Sequence, residues 1–307
     1  MIAKDAKIYV AGHNGLAGSA MVKVLRENGY NNLVFRTHDE LDLTNQRDVD
    51  LFFEKERPDI VILFAAKVGG VYANKTYPAD FLSINLSIQS NVIGASVKNN
   101  VKKLLFIASG VVYPRDAKHP LSEDSLLTGP FEPVNEPYAI AKVAGLKMCQ
   151  YIKKQYGLDY STVIPCNLYG PNDKFEGKNT HVIPATINKI HDSMVNDKPV
   201  VVWGTGKPIR EFMYSDDLAD ACLFLLNQND LPSHINVGSG EYLSINEMTK
   251  TIADVMGFEG EIVNDTSMPD GAPIITLDST LINKMGWKAK ISFREGIERT
   301  CSTFLRK

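Results

Sequence analysis

The feature that most constrains the fold is a series of short apolar segments that alternate with helical patterns through the first half of the chain. The strand-like segments are residues 7–11, 32–36, 59–65, 103–109 and 161–165, and the helical ones are residues 16–28, 49–55, 81–99 and 138–156. Strands that are apolar on both faces indicate a parallel sheet covered by helices on both sides. With right-handed crossovers, the pattern predicts a doubly wound α/β domain of the Rossmann type.

The alternation weakens after residue 170. Further helices are predicted at residues 184–195, 216–226 and 245–256, and a strand at residues 200–203. This mixed pattern predicts a smaller C-terminal domain that supplies the substrate site. The predicted division gives residues 1–172 to a dinucleotide-binding domain, with residues 211–239 returning to it, and residues 173–210 and 240–307 to the substrate domain.

Composition and charge narrow the class of protein. The 307-residue chain carries a formal net charge of -3, so no overall basic field favours nucleic acid or an anionic membrane. No apolar run is long enough to span a bilayer, and the charged start of the chain does not fit a signal peptide. The four cysteines are widely spaced and form no cluster with histidines. We therefore expect a cytoplasmic protein with reduced thiols and no metal site.

A glycine-rich loop follows the first predicted strand and begins the first predicted helix. Its glycines allow a sharp turn and a close approach to a pyrophosphate, which free helix N–H groups can then bind. The residues expected to contact a dinucleotide there are Gly12, Asn14, Gly15, Leu16 and Gly18. Arg36, at the end of the second predicted strand, favours NADPH because arginine accommodates a 2′-phosphate. Asp42 is expected near the adenine, and an ordinary surface arginine is the alternative reading of Arg36.

A tyrosine and a lysine indicate the chemistry. Of the 12 tyrosines, only Tyr138 has a lysine four residues later, Lys142, which places both side chains on one helix face. A nearby ammonium is expected to lower the tyrosine pKa, which suits proton donation to a carbonyl oxygen as hydride arrives. Ser109 ends the fourth predicted strand and is expected to hold the same carbonyl. The three residues predict a reductase.

Longer motifs extend this interpretation. They are residues 12–19 (GHNGLAGS), 65–70 (AAKVGG), 135–142 (NEPYAIAK), 167–173 (NLYGPND) and 210–212 (REF). With the serine, tyrosine and lysine, these motifs resemble those of GDP-L-fucose synthases, a family of extended short-chain dehydrogenases/reductases. The resemblance runs from residue 8 to about residue 220 and more loosely to the end of the chain. It makes the predicted substrate domain a nucleotide-sugar-binding domain.

The resemblance implies that one activity of the family is retained and another is lost. Members of the family epimerise C3 and C5 of GDP-4-keto-6-deoxymannose and then reduce C4 with NADPH. The reducing set is present as Ser109, Tyr138 and Lys142, and the family's epimerisation histidine as His181. The family's cysteine, two residues after the serine, is Val111, which has no ionisable proton. We therefore predict a C4 reductase of a GDP-4-keto-6-deoxy sugar, either hexose or heptose, without C3/C5 epimerase activity.

The resemblance also assigns further site residues. At the cofactor it implies Ala65, Ala66, Lys142, Pro165, Asn167, Leu168 and His181. At the substrate it implies Ser109, Val111, Asn167, Lys189, Trp203, Arg210 and Asp270. Asn14 and His38 stand where the family usually has arginines, which weakens the preference for NADPH and leaves Arg36 to support it.

Three other functions remain open, and the sequence also leads to a prediction of the oligomeric state. A complete GDP-L-fucose synthase is disfavoured by Val111, and a redox-neutral epimerase or dehydratase with bound NAD is disfavoured by Arg36. A non-catalytic regulator that senses NADPH is disfavoured by the intact serine, tyrosine and lysine. By analogy with related dehydrogenases, helices 81–99 and 138–156 are expected to pair with a second copy in a four-helix bundle, which gives a homodimer. An apolar helix face buried within one subunit is the alternative.

Overall fold

The structure is a computed structural model that describes residues 1–177 and 180–306. Its elements follow one another as β1 (Ile8–Ala11), α1 (Leu16–Glu27), β2 (Leu33–Val34), α2 (Gln46–Glu56), β3 (Ile60–Leu63), α3 (Val71–Thr76), α4 (Pro78–Lys98), β4 (Lys103–Ile107), α5 (Glu136–Tyr156), β5 (Asp159–Pro165), β6 (Asn167–Tyr169), α6 (Val182–Asn196), β7 (Val200–Trp203), β8 (Ile209–Tyr214), α7 (Ser215–Leu226), β9 (His234–Val237), β10 (Tyr242–Ser244), α8 (Ile245–Met256), β11 (Ile262–Asp265), β12 (Ile274–Ile275), α9 (Thr280–Met285) and α10 (Phe293–Phe304). Short 3-10 turns lie at Gly110–Val112 and Glu123–Ser125.

The large sheet has six parallel strands in the order β2-β1-β3-β4-β5-β9. Strands β1 and β3 are buried along their whole length, as expected for strands covered on both faces. The chain runs from β1 to β2 on one side and then to β3 on the other. Because the chain connections after β1 and β3 diverge, a crevice forms between the carboxyl ends of these two strands, where sheets of this type bind ligands. The predicted doubly wound α/β fold is confirmed.

Two apolar layers cover this sheet. One packs α2, α4 and α5 against it through residues such as Val49, Val92 and Leu146. The other packs α1 and α7 through residues such as Met21 and Leu218. Truncating one such fully buried aliphatic side chain to alanine costs about 2–5 kcal/mol of stability. The layers therefore fix the strand ends on which the site is built.

The second half of the chain adds a smaller mixed sheet of four strands and a separate pair of parallel strands. Strand β8 pairs with β10, β12 and β6, and β7 pairs with β11. Helices α6, α8 and α10 cover these strands through a third apolar core. Some later segments return to the large sheet. Helix α7 packs on α1, β9 joins the large sheet, and Ile282 and Trp287 belong to the apolar core beside α1. The proposed domain division stays a prediction, and the chain crosses between the two sheets several times.

Several predicted boundaries differ from the observed ones. The second strand has two residues rather than the five predicted, and the helix predicted at residues 138–156 begins at Glu136. The earlier start is possible because Pro137 lies in the first turn, where its missing N–H has no intrahelical partner. Strands β6 and β8–β12 were not predicted, and all of them except β8 have only two to four residues. Within the described residues, no helix is both long and apolar enough to cross a membrane.

Candidate active site

The glycine loop forms a tight cradle at the carboxyl end of β1. Gly12 has a φ of +87°, and a Cβ added there would lie 2.7 Å from the Ala65 backbone nitrogen. A Cβ on Gly18 would lie 2.1 Å from the Gly12 carbonyl oxygen. Helix α1 begins after Gly15, and no side chain caps its N–H groups. The loop thus fits a pyrophosphate, because it combines close backbone approach with free N–H donors at a helix N-terminus.

Arg36 lies near this loop, but its guanidinium is already paired. Nη2 is 2.8 Å from the Glu56 carboxylate, and Nη1 donates to the Phe35 carbonyl oxygen at 2.8 Å. No motif pointed to Glu56, which lies at the end of α2. A 2′-phosphate at Arg36 must therefore share the guanidinium with this carboxylate or displace it. The Asp42 carboxylate accepts hydrogen bonds from the Thr44 N–H and hydroxyl, which lower the pKa of Asp42.

The tyrosine and lysine lie at the start of α5, as the spacing predicts. Lys142 is 2% exposed, and its Nζ donates to the Ile107 carbonyl oxygen at 2.8 Å and lies 5.7 Å from the Tyr138 ring centre. Burial lowers the pKa of Lys142 to about 7. Burial also raises the pKa of Tyr138, whereas the sequence predicted a lowered one. That prediction was wrong for the free protein because burial of the Tyr138 hydroxyl itself disfavours the phenolate.

The serine and the valine lie at the end of β4 beside the same helix. Ser109 has extended backbone and directly precedes the 3-10 turn Gly110–Val112, against which α5 packs. Val111 is therefore held in this turn and is partly exposed. A Cβ on Gly110 would lie 4.0 Å from the Pro165 carbonyl oxygen, so the end of β5 borders the turn. The structure brings Ser109, Val111 and Pro165 to one edge of the sheet, next to α5.

The segment after β6 closes one side of this edge. The Asn167 side chain donates to the Glu211 carbonyl oxygen at 3.1 Å, which ties β6, with Leu168, to β8. His181 precedes α6, and its Nδ1 is 3.6 Å from a carboxylate oxygen of Asp173. The Ala65–Ala66 segment follows β3 at the same end of the sheet, where the Ala65 N–H donates to the Ala11 carbonyl oxygen at 3.0 Å.

The four residues expected at the GDP group lie where α6 and the β7–β11 pair meet the smaller mixed sheet, a region called here the rim of the smaller sheet. Lys189 Nζ is 5.2 Å from the ring centre of Trp203, which is 62% exposed. Both carboxylate oxygens of Asp270 accept hydrogen bonds from Thr205, at 2.8 Å each. Arg210 donates to the Ala272 carbonyl oxygen at 2.7 Å, next in the chain to the loop that holds Asp270. The rim thus presents two cations and an aromatic face, with Asp270 already bonded to its neighbouring turn.

Two buried polar residues that sequence reasoning missed hold the site together. Glu211 is fully buried, and its carboxylate accepts hydrogen bonds from the N–H groups of Leu277 and Gly240. Its burial raises its pKa. Asn85 accepts from the Lys67 N–H and donates to the Lys67 carbonyl oxygen, which braces the loop after β3. Glu211 follows Arg210 in the REF motif, but a single sequence does not show that its carboxylate is buried.

Thiol and metal chemistry have little support in the described residues. All four cysteines are free, and burial raises the pKa of Cys149, Cys222 and Cys301. Across residues 1–177 and 180–306, no three His, Cys, Asp or Glu side chains are grouped so that they could hold a metal ion. Tyr138 and Lys142 thus supply titratable groups at the edge of the large sheet, with His181 nearby.

Known proteins share both the sequence and the fold. The family model described as NAD dependent epimerase/dehydratase family matches residues 8–238. Putative GDP-L-fucose synthase 2 of Arabidopsis thaliana is 51% identical over 306 residues, which cover 99% of this chain and 93% of that protein. GDP-L-fucose synthase of Escherichia coli K12 is 47% identical over 309 residues, which cover 97% and 96%.

A solved structure extends the comparison. The Campylobacter jejuni protein MlghC, described as a GDP-mannoheptose C4 reductase with NADP bound, is 40% identical with a TM-score of 0.91, covering 99% of this chain and 100% of that one. The predicted family resemblance is confirmed by sequence and by fold. This chain belongs to the NAD dependent epimerase/dehydratase family and, within it, is a homologue of the GDP-L-fucose synthases.

Proposed function

We propose that the protein is an NADPH-dependent C4 reductase of a GDP-4-keto-6-deoxy sugar and does not epimerise C3 or C5. The observation that carries the proposal is the edge of the large sheet. There the Tyr138–Lys142 pair lies beside the turn that begins after Ser109, and this turn contains Val111. The protein would thus retain the reducing residues and lack one half of the proton-transfer pair.

The reduction follows from three side chains. NADPH, when bound, supplies the hydride that forms the new C–H bond at C4. As the carbonyl π bond breaks, the Tyr138 hydroxyl donates its proton to the oxygen, and the product is an alcohol. Lys142, when protonated, stabilises the tyrosinate by its charge. Ser109 donates a hydrogen bond to the same oxygen and holds the carbonyl in place.

The lack of epimerisation follows from Val111. Inversion at a carbon next to the ketone needs one group to remove a proton and another to return a proton on the opposite face. His181 can exchange a proton, whereas the valine side chain cannot. The name of MlghC, a C4 reductase, agrees with this proposal. The names of the plant and E. coli relatives favour the second candidate, a complete GDP-L-fucose synthase.

The rim of the smaller sheet fits the GDP group. Lys189 and Arg210 supply positive charge for the pyrophosphate, and the exposed face of Trp203 can stack on a base. Asp270 can still accept a hydrogen bond from the sugar or the base, because each carboxylate oxygen has more than one acceptor site. At the carboxyl edge of the large sheet, the Gly12 cradle would hold the pyrophosphate of NADPH. Arg36 would hold its 2′-phosphate.

We include in the proposal a cytoplasmic homodimer. Helix α5 carries Ile140 and Tyr151 on one face, and both are exposed. Their separation of 11 residues spans three helical turns, so the two side chains point the same way. Helix α4 packs directly beside α5, so the two form a surface onto which a second copy can add two further helices. Sedimentation equilibrium of the wild-type protein and of Ile140→Glu tests this assembly.

The decisive experiment is NADPH oxidation with GDP-4-keto-6-deoxymannose, with and without a separate C3/C5-epimerase, with products identified by NMR. We expect a C4-reduced, unepimerised sugar from the protein alone, or reduction only of the epimerised substrate. GDP-L-fucose from the protein alone would establish the complete synthase instead. Val111→Cys is the matched variant: it restores an ionisable group and should increase deuterium uptake from heavy water at C3 or C5 without NADPH.

A further inference from the structure

The carboxylate of Asp173 is buried beside an exposed histidine. Its side chain is 7% exposed, whereas that of His181 is 47% exposed. One oxygen, Oδ1, accepts a hydrogen bond from the Lys174 N–H at 2.8 Å and lies 3.6 Å from His181 Nδ1. The other, Oδ2, is buried and has no hydrogen-bond partner among the described residues. The carboxylate thus has acceptor capacity left for the histidine.

The two residues are carried by segments that the rest of the fold holds in place. Asn172, next to Asp173, donates from its side chain to the Ser19 hydroxyl on α1 at 2.8 Å. A Cβ added to Gly170 would lie 3.2 Å from the Leu16 side chain, so this segment packs against the start of α1. A Cβ on Gly70 would lie 3.3 Å from the Thr180 carbonyl oxygen, which puts His181 next to the loop after β3. The pair therefore borders the dinucleotide loop.

A carboxylate at Nδ1 determines which nitrogen of a neutral imidazole carries the proton. The acceptor favours the Nδ1–H tautomer, and Nε2 is then left with a lone pair. The 3.6 Å separation is slightly longer than a hydrogen bond, but at this distance the negative charge of the carboxylate already favours a proton on Nδ1 in the free protein. Such contacts often shorten when a substrate binds. Because the Nδ1 edge of His181 faces Asp173, its other edge is the one available to a ligand.

We propose that Asp173 is a positioning residue that holds His181 as the Nδ1–H tautomer, so that Nε2 accepts a hydrogen bond from a hydroxyl group of the GDP-sugar. This inference rests on the proposed function, because it takes His181 to be part of the sugar site. A buried carboxylate oxygen without a partner lowers stability. Asp173 is thus poorly explained as a device for stability and better explained by its action on His181.

The test is 15N NMR of the histidine side chains in the substrate-free protein at a pH where they are neutral. His181→Gln assigns the His181 signals among the six histidines. We expect the Nδ1–H tautomer for His181 in the wild type and the Nε2–H tautomer in Asp173→Asn. The asparagine oxygen can still accept from the Lys174 N–H but carries no charge, so the preference for a proton on Nδ1 is lost and the Nε2–H form, which is the usual one for a neutral histidine side chain, returns.

A matched control pair, His191 and Asp192, lies on α6, the helix that follows His181. Asp192 interacts electrostatically with His191, so Asp192→Asn should change the His191 signals and leave those of His181 unchanged. An Nε2–H tautomer of His181 in the wild type overturns the proposal, and so does a tautomer that does not change in Asp173→Asn. The wild-type spectrum is decisive alone if the variant fails to fold. No sugar is present, so an error in the proposed reaction does not affect this result.

Kinetics then connect the tautomer to the sugar. We expect Asp173→Asn to lower kcat/KM for the GDP-sugar by about tenfold and to leave the Kd of NADPH unchanged. If Asp173 acts through His181, the double variant with His181→Gln should be no slower than His181→Gln alone. If the fall in kcat/KM of the double variant equals the product of the falls in the two single variants, Asp173 acts independently of the histidine and the proposal is overturned.

Discussion

The two sides of the proposed site are built differently. At the edge of the large sheet, Lys142 is 2% exposed and bonded to the main chain of β4. At the rim of the smaller sheet, Trp203 is 62% exposed and its neighbour Lys189 rests against it. The first side is fixed by burial and backbone geometry, whereas the second is formed by exposed side chains at the surface, Lys189 on α6 and Trp203 at the end of β7. The difference suggests that substitutions on the first side affect the chemical step and those on the second affect binding of the sugar.

Tyr138→Phe should give the largest effect and tests the reaction side. Phenylalanine keeps the ring, which packs edge-to-face on Phe81, but removes the only proton that we assign to the C4 oxygen. We expect kcat to fall by about 10³-fold, within the usual range for a lost general acid. NADPH oxidation and NADPH fluorescence titration measure turnover and cofactor binding separately. Near-normal turnover would show that another group donates the proton.

Gly12→Ala tests the cradle. The added methyl group would meet the Ala65 backbone at a φ of +87°, so we expect NADPH affinity to fall on the order of 100-fold, or about 2.7 kcal/mol. Gly29→Ala is the control, since Gly29 has a φ of +78° and nothing within 4 Å of an added Cβ. It should cost about 1–2 kcal/mol of stability and leave NADPH binding intact. Equal losses of affinity in both variants would contradict a specific cradle.

The pH dependence tests the burial of Lys142. Because burial lowers the pKa of Lys142 to about 7, this lysine loses its proton in the free enzyme as pH rises through that value. The charge that stabilises the Tyr138 tyrosinate is then lost. We expect kcat/KM for NADPH to fall by about tenfold per pH unit above this pKa. A profile that stays flat up to pH 9 would mean that the lysine remains charged in the free enzyme.

The same lowered pKa has a consequence for stability. Between about 7 and the usual 10.5, the unfolded chain binds a proton at Lys142 that the folded chain lacks. This group therefore makes the free energy of unfolding rise with pH across that window, and its destabilising effect is complete below it. Urea denaturation between pH 7 and about 8.5, where the cysteine thiols are still largely protonated in the unfolded chain, should show this rise in the wild type and a smaller rise in Lys142→Met.

Trp203→Ala should give the smallest effect and tests the rim. An exposed aromatic face that stacks on a base is worth about 1–3 kcal/mol, and only part of this is lost if Lys189 still contacts the GDP group. We expect KM for the GDP-sugar to rise about fivefold to tenfold, with kcat nearly unchanged, as for an interaction made equally in the ground state and the transition state. Leu51→Ala removes a similarly exposed apolar side chain from α2 and should change neither constant. A large fall in kcat would place Trp203 on the reaction side.

The sequence alone determined the parts of the protein that depend on neighbouring residues. The alternation of apolar strands and helices predicted the doubly wound sheet, and the loop at Gly12 and the spacing of Tyr138 and Lys142 predicted the site. These features follow from short-range rules, since the apolar pattern of a strand, the periodicity of a helix and the turn allowed by a glycine are encoded within a few residues. The replacement of a cysteine by Val111 was also readable directly, because it needs only a motif to which it can be compared.

Only the tertiary structure decided which side chains meet across the fold. It paired Arg36 with Glu56 and showed that Lys142 is buried enough for its pKa to be lowered to about 7. It also placed Asp173 beside His181 and gave Glu211 its backbone partners. Partners and burial of this kind depend on how distant segments pack, and both the pKa and the charge pairing of a group depend on the solvent and charges that the packing leaves around it.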